Sequence, residues 1–215
     1  MKNSKKMTIS INHFLYMPEH LSFFKKKAEK IFELFSEETL EKEKIEELPD
    51  FQENPEKWSD ALAEKEYEQR FVKYEYTKLL ILGLYSLWET DIKSFLYKHP
   101  LHNEEKEKVK KFSFKEINEL FSENVSLRES FKEIKVLSRI ANIIKHGDGV
   151  SLTSLCKCDP SFFEYPPDFS KKFPDSAKYG FRVSEKDFFF FCDVLKNFWT
   201  ILFSLEKIIL SFKEA

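Results

Sequence analysis

Glycine is scarce in this chain, with 4 residues among 215. Turn-rich β architectures and glycine-rich phosphate-binding loops both depend on glycine, so the composition disfavours both. The sequence also contains no Walker loop and no nucleophile elbow, and it therefore gives no support to P-loop hydrolases or α/β-hydrolases. These absences therefore favour a helical protein.

Cysteine is rare as well, and its odd count of three gives no disulfide framework. Cys156 and Cys158 could be combined with His146 into a zinc site, but a fourth ligand at recognisable spacing is missing. We therefore expect incidental cysteines, no metal and no cofactor. No apolar leader segment follows the first six residues, so we expect a reduced, cytoplasmic protein.

Long apolar runs and an excess of charge are the remaining absences. The most apolar stretch, residues 79 to 87, is shorter than the roughly 20 residues of a membrane span, so no membrane partner is expected. Lysine and arginine number 35 against 37 acidic residues, which removes any global signature of nucleic-acid binding. Contact with RNA would need a local patch, for which residues 25 to 27, residues 106 to 115 and Lys145 are candidates.

Apolar and aromatic side chains are abundant, at 42% and 16% of the residues. This is enough for one substantial core, and the apolar spacing predicts an all-α fold. The prolines and polar residues around 49 to 55 divide the chain into an N-terminal arm with an amphipathic helix, 1–55, and a helical domain, 56–215. We expect the arm itself, residues 1 to 12, to be mobile or weakly docked. The expected helices cover about residues 18 to 43, 56 to 98, 127 to 146, and 184 to near the C terminus.

Short polar patterns mark where helices begin. Ser113 with Glu116, and Ser126 with Glu129, each have the spacing of a capping box, in which the serine and the acidic residue satisfy the free amides of the first turn. The second box predicts that a helix begins at Leu127.

The last helix follows a region rich in proline. Residues 150 to 183 contain four prolines and predict a long irregular loop that could fold over a neighbouring site as a lid. Ser184 and Asp187 then open a helix whose wide apolar stripe exceeds what one neighbour covers. Such a helix is either central to the bundle or meets another subunit.

Three polar side chains share one edge of the helix that ends before Gly147. At about 100° per residue, Arg139 and His146 lie two turns apart at nearly the same angle, and Asn142 lies within about 60° of both. The neighbouring edge is apolar and should pack inward, which leaves a cation, an amide and an imidazole at the rim of the core. On its own this pattern also fits an ordinary helix end with basic residues beside the dipole. The apolar edge consists of Val136, Leu137, Ile140, Ile143 and Ile144.

An arginine, six intervening residues and a histidine at the end of a long helix resemble the motif of the HEPN superfamily. The resemblance covers about residues 70 to 213 and implies an up-and-down helical bundle. It also implies a metal-independent ribonuclease of a toxin-antitoxin or phage-defence system, acting as a homodimer on RNA. The chain departs from the family in one position, because Ile140 follows the arginine where a polar residue is common. Asn142 is the candidate substitute.

The resemblance implies that Arg139 and His146 are catalytic, with Asn142 positioning a phosphate oxygen or the imidazole. Two carboxylates, Glu89 and Asp91, end the most apolar stretch, and a buried carboxylate needs a partner. One of them is therefore expected to face Arg139 and orient it or the imidazole, although both also fit ordinary surface acids.

Two other classes of function stay open from the sequence. In one, the chain is a non-catalytic HEPN-like binding or antitoxin-like module, with Arg139 and His146 structural. In the other, it is a helical scaffold subunit of a defence complex that uses residues 150 to 183 as its contact surface. The expected partners are accordingly RNA, a second copy of the chain, and a cognate antitoxin or another protein of a defence complex.

Overall fold

The computed structural model describes residues 4–10, 17–35, 55–98, 103–147, 150–164, 180–205 and 207–213. Within this part the chain is predominantly helical, which confirms the expected class. The helices are α1 (Met17–Leu34), α2 (Pro55–Lys98), α3 (Asn103–Lys110), α4 (Phe114–Leu120), α5 (Arg128–His146), α6 (Val150–Cys158) and α7 (Glu185–Ser204), and the strands are β1 (Ser4–Ser10) and β2 (Lys207–Lys213).

Helix α5 lies at the centre of the packing, against α2, α4, α6 and α7. Its inward face is apolar, and Leu137, Ile140 and Ile143 are all buried, as the sequence predicts. Val136 and Ile144 are partly buried at the edge of that face. The core therefore holds α5 on three sides and leaves one edge of the helix for polar side chains.

Trp88 of α2 joins the central helices. Its ring contacts Phe114 of α4 at 6.0 Å between centroids, Phe131 of α5 at 6.4 Å and Phe198 of α7 at 5.8 Å. Edge-on and tilted aromatic pairs at these distances add about 0.5–1.5 kcal/mol each beyond the burial of their area. The abundant phenylalanines thus fill the space where four helices meet.

Helix α1 packs on α2 and α7, and its buried side chains belong to the same core as the rest of the molecule. Gly83 of α2 allows the close approach, because a Cβ at that position would lie 3.0 Å from Cζ of Phe24. The glycine therefore serves the packing of α1 on α2. The expected end of α1, near residue 43, lies outside the described residues.

The two ends of the chain form an antiparallel sheet, which sequence reasoning did not foresee. Strand β1 pairs with β2 in a register that runs from Ser4 opposite Lys213 to Ser10 opposite Lys207. The prediction of a mobile or weakly docked N-terminal arm is therefore wrong for residues 4–10, and the prediction that the last helix continues to near the C terminus is wrong beyond Ser204. Buried Ile208 and Leu210 alternate with exposed Lys207 and Ile209, which is the period of a strand.

Asn124 fastens β2 to the helices. Its Nδ2 donates to the Ile209 carbonyl oxygen at 2.8 Å, and the Ile209 amide donates to its Oδ1 at 3.1 Å. The side chain thus imitates the backbone of a neighbouring strand while it lies buried. This pairing places β2 beside the connection that leads into α5.

Helix α6 occupies the first part of the region that was expected to be irregular. Residues 150–158 contain no proline, and Leu152 and Leu155 are buried where α6 packs on α5. The prolines follow, and the chain turns at Pro160–Phe162 before Phe163 bridges to Phe181. Of the region 150 to 183 that was expected to act as a lid, residues 165 to 179 lie outside the described residues.

The helix starts agree with the sequence at two of three positions. The Ser113 amide donates to Glu116 Oε2 at 2.7 Å, and the Ser184 amide donates to Asp187 Oδ2 at 2.7 Å. The box expected at Ser126 does not form, because Ser126 lies in a single 3-10 turn and α5 begins at Arg128. No helix in the described part of the chain is long and apolar enough to cross a membrane.

Candidate functional site

The candidate site is the polar edge of α5 near its C-terminal end. Arg139 and Asn142 are half-buried, and His146 is exposed in the last turn. The rise of about 1.5 Å per residue separates the Cα atoms of Arg139 and His146 by about 10 Å along the axis, with Asn142 between them. The three side chains therefore lie at the rim of the core, as the sequence predicts.

Gly147 ends the helix and determines the position of His146. Its φ of 77° lies in the left-handed region, which residues with a side chain rarely adopt, and its amide donates to the Ile143 carbonyl oxygen at 2.7 Å. His146 consequently occupies the last turn of α5, at the C-terminal end of the helix. Lys145, also exposed, occupies the same turn.

A buried hydrogen bond beside Arg139 helps to hold the rotation of α5. Ser138 Oγ donates to the Tyr85 hydroxyl of α2 at 3.3 Å. Burial raises the pKa of Tyr85 to about 12, although the bond with Ser138 lowers it, so the phenol is neutral at ordinary pH. Since Ser138 is locked inward, the adjacent Arg139 is directed toward the rim.

The guanidinium of Arg139 reaches across to α6. Its Nη1 donates to Cys158 Sγ at 2.8 Å, and the Cys158 thiol is exposed. Helix α6 thus brings a soft acceptor to the cation, although thiols accept hydrogen bonds weakly. The contact uses one of the five donors of the guanidinium and leaves the edge formed by Nε and Nη2 without a partner among the described residues.

The two carboxylates expected to support the site have other partners. Glu89 accepts from Lys93, one turn along α2, at 3.0 Å. Asp91 Oδ1 lies 3.3 Å from Nδ1 of His20 on α1. Residues two apart on a helix point about 200° apart, so both carboxylates cannot face the same neighbour. In place of the expected carboxylate, the described partner of Arg139 is Cys158.

The remaining polar groups of the edge are available for a ligand. Within the described residues, the Asn142 amide and the His146 ring make no hydrogen bond, and the Lys145 ammonium forms no ion pair. An amide, an imidazole and a guanidinium edge together can bind a phosphate and exchange a proton with it.

Metal-ligating side chains do not gather here. Cys156 is buried while Cys158 is exposed, so the two cysteines of the C-x-C pair point to different surroundings. No group of three histidine, cysteine or acidic side chains suited to a metal occurs in the ranges that the structure describes.

Two residues next to the site were missed by sequence reasoning. Tyr85 belongs to an apolar run and gave no signal of its own, and Cys158 was interpreted as incidental. Their contacts with α5 depend on how α2 and α6 pack, and no spacing within the motif indicates them. Comparisons with family models, with curated proteins and with solved structures find no match to this chain.

Proposed function

We propose that this protein is a metal-independent endoribonuclease of a toxin-antitoxin or phage-defence system. The observation that carries the proposal is the edge of α5, on which Arg139, Asn142 and His146 lie together at the rim of a well-packed core. The resemblance of the motif to the HEPN superfamily supports the same activity and the same bundle. Cleavage would proceed by attack of the 2′-hydroxyl and leave a cyclic 2′,3′-phosphate.

RNA cleavage needs three types of chemical group, and the side chains of this edge are of suitable types. A base removes the 2′-hydroxyl proton, a cation stabilises the phosphorane, and an acid protonates the leaving 5′-oxygen. His146 takes a proton-transfer role, and Arg139 binds the phosphate through the two parallel donors of its guanidinium. Asn142 positions a phosphate oxygen or the imidazole.

Cys158 fits this scheme as a positioning residue. Because its thiol holds Nη1 of Arg139, the Nε and Nη2 donors remain free to form the bidentate contact with a phosphate. The cation is thereby oriented before substrate arrives, and less conformational entropy is lost on binding.

A single histidine serves one proton-transfer role at a time. Two copies of the motif would supply both the base and the acid, so we propose that the active form is a homodimer in which two α5 edges meet. A cognate antitoxin or another protein of a defence complex would control access to this edge.

The contact between Arg139 and Cys158 also favours a second candidate function. A guanidinium that holds α6 against α5 is what a structural arginine does, and the chain would then be a non-catalytic binding or scaffold module. The two candidates differ in what the polar residues are needed for, which is catalysis in the first and stability in the second.

The test combines activity with stability in the same purified variants. We expect His146→Ala and Arg139→Ala each to lower RNA cleavage by about 10²- to 10⁴-fold at an unchanged melting temperature, and Asn142→Ala to have a smaller effect. Lys135→Ala, an exposed lysine one turn earlier on α5, is the matched control and should behave as the wild type. Cleavage should survive EDTA, and its products should carry cyclic phosphate ends.

Other results would overturn the assignment. Cleavage that EDTA abolishes and a divalent cation restores would contradict a metal-independent mechanism. A wild type without cleavage, together with a lowered melting temperature for Arg139→Ala, would favour the scaffold.

A further inference from the structure

The exposed face of α1 combines one aromatic ring with three lysines. Phe23 is 65% exposed, and Lys26, Lys27 and Lys30 follow it within about two turns of the same helix. Together they line a groove of about 240 Å³. We call these four residues the basic-aromatic face.

Phe23 and Leu34 are the two large apolar side chains of α1 that are exposed, whereas most other apolar side chains of this helix point into the core. Met17, Leu21, Ala28 and Phe32 are buried against α2 and α7. The Lys27 ammonium lies 5.2 Å from the centroid of the Phe23 ring, within the range of a cation-π contact. The Phe23 ring thus lies at the surface beside a positive charge. Packing of the core does not require an aromatic side chain at this position.

The charges of this face are unbalanced. Lys26, Lys27 and Lys30 form no ion pair with any residue that the structure describes, whereas the adjacent Lys25 pairs with Asp193 at 3.0 Å. Two acidic side chains of the same helix, Glu29 and Glu33, line a different groove together with residues of α2 and α7. In a chain with a net charge of −2, this separation creates a local positive surface.

We propose that the basic-aromatic face binds single-stranded nucleic acid. A base stacks on the Phe23 ring, and the three ammonium groups neutralise neighbouring phosphates, which is the combination that sequence-tolerant binding of single strands uses. Insertion into a membrane is disfavoured because the broad apolar face of α1 is already buried in the core, so only Phe23 and Leu34 would enter the lipid.

This contact is separate from the α5 edge and does not depend on cleavage. Helix α1 packs on α2 and α7, while the candidate site lies on α5. A single-stranded oligodeoxyadenylate is therefore the right probe, because it lacks the 2′-hydroxyl that the proposed cleavage requires. Binding to it reports on the face whether or not the protein is a ribonuclease.

The experiment measures fluorescence anisotropy of labelled oligodeoxyadenylate with the full chain at several salt concentrations. We expect Phe23→Ala to weaken binding by about 5- to 100-fold. We expect the triple variant Lys26→Gln, Lys27→Gln and Lys30→Gln to reduce the slope of log affinity against log salt by about 2, which is three phosphates at about 0.7 each.

Matched controls separate the face from general effects. Phe190→Ala removes another exposed phenylalanine, and the triple variant Lys186→Gln, Lys196→Gln and Lys207→Gln removes the same charge from exposed lysines outside the candidate basic patches. Both should bind as the wild type, and thermal melts should show that every variant is folded.

Several outcomes would refute the proposal. One is a wild type that fails to bind oligodeoxyadenylate. Another is a set of face variants that bind it as tightly as the controls. A third is binding of polyglutamate, which has charge but no bases, with the same affinity as oligodeoxyadenylate. Binding of phosphatidylserine vesicles that Phe23→Ala abolishes, with nucleic-acid binding intact, would assign the face to a membrane instead.

Discussion

The Arg139 guanidinium donates one hydrogen bond to the Cys158 thiol and keeps its other edge open toward the rim of the core. A half-buried cation held in this way loses little freedom when it binds a phosphate. The thiol therefore matters for the proposed chemistry through orientation, and its removal should have a smaller effect than removal of the guanidinium.

Cys158→Ala tests that orientation. We expect it to lower kcat for RNA cleavage by about 2- to 10-fold, since one hydrogen bond is worth about 0.5–1.5 kcal/mol. Cys158→Ser keeps an acceptor and should retain most of the rate. Lys157→Ala, an exposed neighbour on α6, is the control. Equal rates for the alanine variant and the wild type would show that Arg139 needs no partner on α6.

Asp91 gives a prediction with a definite pH dependence. Burial raises its pKa above the ordinary value of 3.8, although the hydrogen bond to His20 lowers it. A carboxyl whose pKa is raised by folding stabilises the folded state in its protonated form, and this stabilisation is lost as the pH rises from 3.8 through the folded-state pKa.

We therefore expect the melting temperature of the wild type to fall relative to that of Asp91→Asn as the pH rises through this window. Thermal melts of both proteins at a series of pH values measure the difference. Exposed Thr90→Ala provides a neighbouring control without a charge change. A difference that grows in favour of the wild type with rising pH would mean that the ion pair with His20 outweighs burial.

At the scale of elements, α5 presents its polar edge because α2, α4, α6 and α7 cover its apolar face. Helix α6 adds the partner of Arg139, and β2 joins the connection that precedes α5 through Asn124. The start of α5 has no side-chain cap, so its position depends on these tertiary contacts.

Asn124→Ala should therefore destabilise the fold without touching the polar edge. The substitution leaves the Ile209 amide and carbonyl without their partner, and unpaired buried groups cost about 1–3 kcal/mol in the free energy of unfolding. Chemical denaturation measures the change. Asn197→Ala, at an exposed position of α7, should change stability by less than about 0.5 kcal/mol. Equal stability of the two variants would show that the Asn124 pairing adds nothing to docking of β2.

At the scale of the whole molecule, α7 answers a question that its sequence left open. Most of its wide apolar stripe is covered by α1, α2 and α5, while Phe190 stays exposed, so the helix is central to the bundle. The argument for a homodimer consequently rests on chemistry, because cleavage needs two proton transfers and each chain supplies one motif histidine.

Light scattering tests the homodimer directly. We expect a dimer at micromolar concentration under the conditions in which RNA is cleaved, and dilution below the dissociation constant should reduce the activity per chain. Phe190→Ala serves as a surface variant away from the α5 edge. A monomer with full activity would show that one α5 edge is sufficient.

Local features of this fold could be predicted because they depend on residues within a turn or two. The capping boxes at Ser113 and Ser184 and the end of α5 at Gly147 follow from short patterns and backbone preferences. The shared edge of Arg139 and His146 follows from helical periodicity alone. These features place the candidate polar groups on one helix and on one side of it.

Other features were decided by tertiary structure, because they join residues far apart in the sequence. The segment after Ser204 has apolar spacing that fits a helix as well as a strand, and pairing with β1 at the opposite end of the chain selects the strand. The partner of Arg139 is Cys158 and neither Glu89 nor Asp91, since the packing of α6 on α5 brings the thiol close while the carboxylates meet Lys93 and His20. The sequence by itself determined which polar groups share the α5 edge, and the packing of distant segments decided what surrounds them.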